Sequence, residues 1–148
     1  MRDKESVRAT LGAAPVFSDP RGKLTLVDYE AIPFAVSRAY VLSELPDGAL
    51  RAGHACRTQQ RFMVGISGVA SVTVDDGLRS RRIGLAGGDT LHVPPRTWIE
   101  IEAAGGGVVI LVFADGAYDP GDYVSDRAEL RTAALSSAAP SAPDTVAS

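Results

Sequence analysis

The apolar residues of this chain come in short runs separated by turn-forming residues, and that punctuation restricts it to folds built from sheets. Lys23-Leu24-Thr25-Leu26-Val27-Asp28 is the first run, and Phe34 to Leu42 follows Pro33. Phe62, Val64 and Ile66 alternate with Met63, Gly65 and Ser67. Val69 to Val74 is rich in β-branched residues and ends at Asp75-Asp76-Gly77, a hairpin signal, with Arg79 to Leu85 as its partner. Thr90 to Val93 stops at Pro94-Pro95, and Thr97 to Glu102 alternates Trp98, Ile99 and Ile101 with polar residues. Gly105-Gly106-Gly107 predicts a turn into Val108 to Phe113, a continuous apolar stretch that suits a strand buried on both faces. Strands recurring every ~8–12 residues with turns between them mean a sandwich or barrel. There is no βαβ alternation and no internal repeat.

The ends read differently from the middle. Residues 1–14 lack a clear period and are expected to form an N-terminal arm, with the β domain over 15–130. One short helix is predicted over Asp126 to Leu135. From Arg131 the composition drifts to Ala, Ser and Pro, so 131–148 are expected to be a disordered tail.

Composition excludes several classes. A chain of 148 residues with 45% hydrophobic and 22% charged residues is one globular domain. A net charge of −3 gives no electrostatic reason to expect a nucleic-acid partner. No apolar run approaches the ~18 residues that cross a bilayer, so no membrane partner is expected. The charged start MRDKESVRAT is not a secretory signal. A single cysteine makes no internal disulfide. These features together read as a cytoplasmic protein.

Chemistry concentrates around His54-Ala55-Cys56, whose two reactive side chains share one face of a strand. Gly48 lies six residues before His54, Arg61 five after Cys56, and Gly68 seven after Arg61. Gly88 is followed six residues later by Pro94, then Arg96, Trp98 and Ile99. This spacing resembles the two motifs of the cupins, which implies an all-β cupin jelly-roll barrel. The four metal positions of a cupin would hold His54, Cys56, Arg61 and Ile99. Arg repels a metal ion and Ile cannot coordinate one, so neither a metal nor another cofactor is expected. A barrel mouth lined by inward side chains suits a small organic ligand.

A closer resemblance covers about Phe17 to Asp126. Its matching stretches include Phe17-Ser18-Asp19-Pro20-Arg21-Gly22-Lys23-Leu24, Arg38-Ala39-Tyr40, Arg51-Ala52-Gly53-His54-Ala55, Leu91 to Trp98, and Tyr118-Asp119 with Asp122-Tyr123. Over these the chain resembles the dTDP-4-keto-6-deoxyglucose 3,4-ketoisomerases, metal-independent cupins. The resemblance implies a homodimer, a small-molecule substrate and a carbonyl moved between C3 and C4. It makes His54 the proton-transfer base, Tyr40 a group at the sugar, Arg21 and Arg51 holders of the diphosphate, and Trp98 a pocket wall. The family's second histidine is Cys56 here, a candidate acid or, alternatively, a small buried hydrophobe. A family glutamine is Arg61, which needs an acidic neighbour or an anionic ligand if it points inward. Ile99 and Arg127 replace a histidine and a tyrosine.

Three functions follow. The first is a nucleotide-sugar 3,4-ketoisomerase. The second is a divergent cupin recruited as a cyclase or isomerase of a natural-product (polyketide-type) intermediate. The third is a non-catalytic ligand-binding cupin.

Overall fold

A computed structural model describes residues 8–138. Two long strands form its spine. The first, β6 (Arg61–Asp75), runs antiparallel to β9 (Trp98–Ala114), from Arg61 opposite Ala114 to Asp75 opposite Trp98. Both strands serve two sheets. The first half of β6 and the second half of β9 lie between β8 (Asp89–Val93) and β4 (Arg38–Leu42), with β1 (Thr10–Ala13) at the edge on β8. The other halves lie between β7 (Ser80–Ala86) and β5 (Leu50–Cys56), with β10 (Tyr123–Val124) at the edge on β5. A separate hairpin joins β2 (Val16–Asp19) to β3 (Gly22–Thr25). The two sheets face each other as a jelly roll.

Alternation along the strands sorts side chains between faces. Met63, Leu91, Val93, Ile110 and Val112 of the first sheet meet Val72, Val74, Ile83, Ile99 and Ile101 of the second in one buried core. Phe62, Val64 and Phe113 point the other way, where Ile32, Phe34 and Val36 cover them. On the outer face of the second sheet, Ala55, Trp98 and Val124 are covered by Leu130 of α1 (Arg127–Ala138).

Several local expectations are corrected. Thr10–Ala13, read as part of an arm, is β1, because its backbone completes the edge of β8. The expected turn at Gly105-Gly106-Gly107 is a bulge within β9. Ser67 pairs with Val109 and Val69 with Ala104, so residues 105–108 have no partners across from Gly68. Of the run Phe34 to Leu42 only Arg38–Leu42 is strand, since Phe34 and Val36 leave the sheet to pack on its outer face. The helix continues past the expected tail boundary at 131 to Ala138. The rest of that expected tail, and residues 1–7 of the arm, lie outside the described residues.

One close approach holds the two halves of the spine in register with their neighbours. A Cβ on Gly65 would lie 2.2 Å from the Ala86 carbonyl oxygen, while the Gly65 carbonyl accepts from Gly88 N at 2.9 Å. Backbone on both sides leaves no flexible group to yield. Gly65→Ala should therefore destabilise the fold by about 2–3 kcal/mol. Urea titration should show a lower midpoint with an unchanged slope; an unchanged midpoint would contradict this packing.

Candidate active site

The bulge in β5 sets the orientation of the candidate site. Arg51 pairs with Ile101 and His54 with Ile99, so two residues of β5 separate them where β9 has one. A regular strand would send Arg51 and His54 to opposite faces. The extra residue puts both on the inner face beside Ile99 and Ile101. Ala52 (φ 71°) and Gly53 (φ 78°) carry the bulge in the left-handed region. Gly53 does so freely, whereas Ala52 is strained, a cost of about 1 kcal/mol or more that the paired strands on either side sustain.

The inner face of β5 opens on a cavity of about 390 Å³. Its ionisable lining is Arg38, Arg51, Arg61, His54, Tyr40, Tyr118 and Tyr123, and its apolar wall includes Met63, Ile99, Ile101 and Val112. Cationic and phenolic groups thus converge with no carboxylate among them. The His54 ring stacks on Tyr123 with centroids 4.1 Å apart. Arg38 lies over Tyr40 at 5.5 Å and Tyr118 at 5.9 Å, and donates to Gln59 and the Gly116 carbonyl. Tyr123 is fixed through its neighbour Asp122, which is 7% exposed and accepts from Thr58 N at 3.1 Å, Thr58 Oγ1 at 2.8 Å and Gln59 N at 3.1 Å. Burial pushes the Asp122 carboxyl up, but those hydrogen bonds outweigh it and hold it below 3.8.

The electrostatics favour a neutral imidazole. Burial, then the positive charge of Arg61, hold His54 below 6.5, against an opposing pull from the Ala52 backbone. Burial raises the Tyr40 phenol above 10.0, although Arg61 and Arg38 pull it down. The cavity therefore presents a free base beside a protonated phenol at neutral pH.

The sequence-predicted residues divide into two groups. His54, Tyr40, Arg51 and Arg61 meet at the cavity. Cys56 shares the inner face of β5 with His54 but is 1% exposed and does not line the cavity, and burial raises its thiol above 9.0 despite Arg61. That environment suits a packed thiol rather than a thiolate nucleophile. Arg21 sits on the exposed β2–β3 turn, paired with Asp19, and does not line the cavity. Trp98 is a correction. It alternates with Ile99, so it points outward into the cluster under α1, with its indole N–H donating to Glu100 at 3.0 Å and Arg127 stacked over its ring. Arg127 pairs with Asp75 on that same outer face, away from the cavity. Sequence reasoning missed Arg38, Tyr118 and Tyr123 as site residues. The Arg38-Ala39-Tyr40 and Tyr118 to Tyr123 stretches were the available signal, but β10 pairing with β5 is what brings Tyr123 to His54.

The four positions of a cupin metal site do not fit a metal. They hold His54, Cys56, Arg61 and Ile99, of which Arg61 is a cation and Ile99 has no donor atom. Fold and site thus define a jelly-roll protein with a cationic, metal-free type of small-molecule cavity. Comparison with known proteins narrows this. Residues 8–134 match the family described as FdtA: WxcM-like, C-terminal. The chain is 30% identical over 108 residues to a TDP-4-oxo-6-deoxy-alpha-D-glucose-3,4-oxoisomerase of Aneurinibacillus thermoaerophilus, covering 72% of this chain and 78% of that one. The chain belongs to this FdtA/WxcM-like family. Its fold matches a 3,4-ketoisomerase from Helicobacter canadensis (TM-score 0.79, 21% identity, 87% of this chain and 98% of that one). It also matches the sugar 3,4-ketoisomerase QdtA of Thermoanaerobacterium thermosaccharolyticum in complex with TDP (TM-score 0.80, 22% identity, 88% and 97%).

The depressed imidazole gives a direct check. In a His92→Gln variant, which leaves a single histidine, NMR titration should place the His54 pKa below 6.5. A value above 6.5 would contradict this description of its surroundings.

Proposed function

We propose that this protein is a metal-independent isomerase that moves the carbonyl of a TDP-4-keto-6-deoxyhexose from C4 to C3. The observation that carries the reading is that the His54 imidazole and the Tyr40 phenol line one cavity that has arginines and no carboxylate. The family supplies the substrate class through the oxoisomerase relative.

In this reading the sugar enters the cavity and Arg51, exposed at its rim, meets the diphosphate. His54 removes the proton from C3. The C–H electron pair becomes the C3=C4 bond and the carbonyl pair moves onto O4. Tyr40 donates a hydrogen bond to that oxygen. The proton taken from C3 is returned at C4 and the O3 proton passes to O4, which leaves a carbonyl at C3 and an alcohol at C4. The redox change is internal to the sugar, so no external electron carrier is needed. His54 itself returns the proton, since the Cys56 thiol does not line the cavity. Arg21 and Trp98 have no part in this scheme.

We further propose that the protein acts as a homodimer in the cytoplasm. Phe17 is 60% and Leu24 57% exposed on the hairpin that stands apart from the main sheet, an apolar surface that a second copy would cover. Light scattering should then give about 31 kDa, twice 15.5 kDa; a monomer mass would refute this part alone.

Turnover is the test of the reaction. The wild type should convert TDP-4-keto-6-deoxyglucose to its 3-keto isomer. His54→Asn should lower kcat by about 10³-fold while TDP still raises the melting temperature. Absence of both turnover and stabilisation by TDP would overturn the reading.

A further inference from the structure

Among the described residues, Arg61 alone buries side-chain nitrogens that have no hydrogen-bond partner. Arg61 opens β6, opposite Val93 on one side and Ala114 on the other, and is 1% exposed. Its Nη2 donates to the Thr97 carbonyl at 3.0 Å, while Nε and Nη1 have no hydrogen-bond partner. Among the described residues none of the ion pairs includes it. Burying an unpaired charge costs several kcal/mol, and arginine cannot lose its proton to escape that cost. Methionine or leucine would fill the same space without it. The residue nevertheless stands in the cavity wall with His54 and Tyr40.

An unpaired buried cation beside a base has one obvious complement, a negative charge that appears only during reaction. The carbonyl shift produces such a charge. When the C3 proton leaves, the electron pair of the carbonyl settles on O4 as an enediolate, and the cavity wall holds no carboxylate to compete for the guanidinium. A neutral carbonyl substrate gains little from a positive charge, whereas the enediolate gains much, so the interaction is selective for the reacting state. The diphosphate belongs elsewhere, because Arg51 is exposed at the rim while Arg61 is enclosed.

We propose that Arg61 supplies the positive charge that stabilises the enediolate oxygen, a role separate from holding the nucleotide. This rests on the isomerase reading above. It makes an unusual prediction about stability, since a residue kept for transition-state charge should be dispensable, or even harmful, to the fold.

Arg61→Gln, Arg61→Met and Arg61→Lys should be compared with the wild type for kcat, KM and melting temperature. The proposal expects kcat to fall about 100-fold in the Gln and Met variants, with KM within about threefold, and Lys to retain kcat within about tenfold. The melting temperatures of the neutral variants should equal or exceed that of the wild type. Retention of kcat within about threefold in either neutral variant would overturn the proposal and leave the isomerase reading standing. So would loss of kcat in all three variants with lowered melting temperatures, which would make Arg61 a structural support for Thr97. A wild type with no turnover is a different result, and removes the isomerase reading itself.

Discussion

Pairing of β6 with β9 is the interaction on which the rest of the structure depends. Each strand spans both sheets, so their shared register fixes how one sheet sits over the other. It also fixes which residues face the interior. Ile99 and Ile101 turn inward, and their partners on β5, His54 and Arg51, turn inward with them because of one bulged residue. Lose the register by one position and the His54 imidazole would exchange places with Ala55 on the outer face.

The chemistry of the cavity follows from what lines it and what does not. Arginines approach it from β4, β5 and β6, and no carboxylate does. Burial, and then the charge of Arg61, hold the His54 imidazole below its usual pKa, and in the field of the arginines an anion is welcome. These two consequences suit one kind of reaction, in which a base creates negative charge on a substrate oxygen. The same arrangement is poor for metal chemistry, because the charge that favours an enediolate repels a cation.

Much of the fold was legible in the sequence because glycines, prolines and alternation mark strand ends directly. Gly68, Gly88 and Pro94 fall at bends and turns whose spacing the chain cannot vary freely. The family resemblance in turn named His54, Tyr40 and Arg51, and these meet in one cavity with Arg61, which stands in place of a family glutamine. Trp98 was misplaced because a strand residue's face depends on register, and Trp98 differs from inward-facing Ile99 by a single position. The joint inward orientation of Arg51 and His54 was illegible for the same reason. It rests on Ala52 adopting a left-handed conformation that alanine rarely takes, and only the paired strands impose it. Arg38 and Tyr123 were hidden because long-range pairing, not local pattern, carries them to the site.

The central claim is that His54 works in this cavity by proton abstraction next to a carbonyl. Incubation with TDP-4-keto-6-deoxyglucose in deuterated buffer, followed by NMR, tests it most directly. The account predicts a 3-keto product, with deuterium at C4 and at C3 of unreacted substrate to the extent that the proton carried by His54 exchanges with the buffer before its return. Substrate that binds yet shows neither product nor exchange at C3 would contradict it, and would leave a cavity that holds a sugar nucleotide without enolising it.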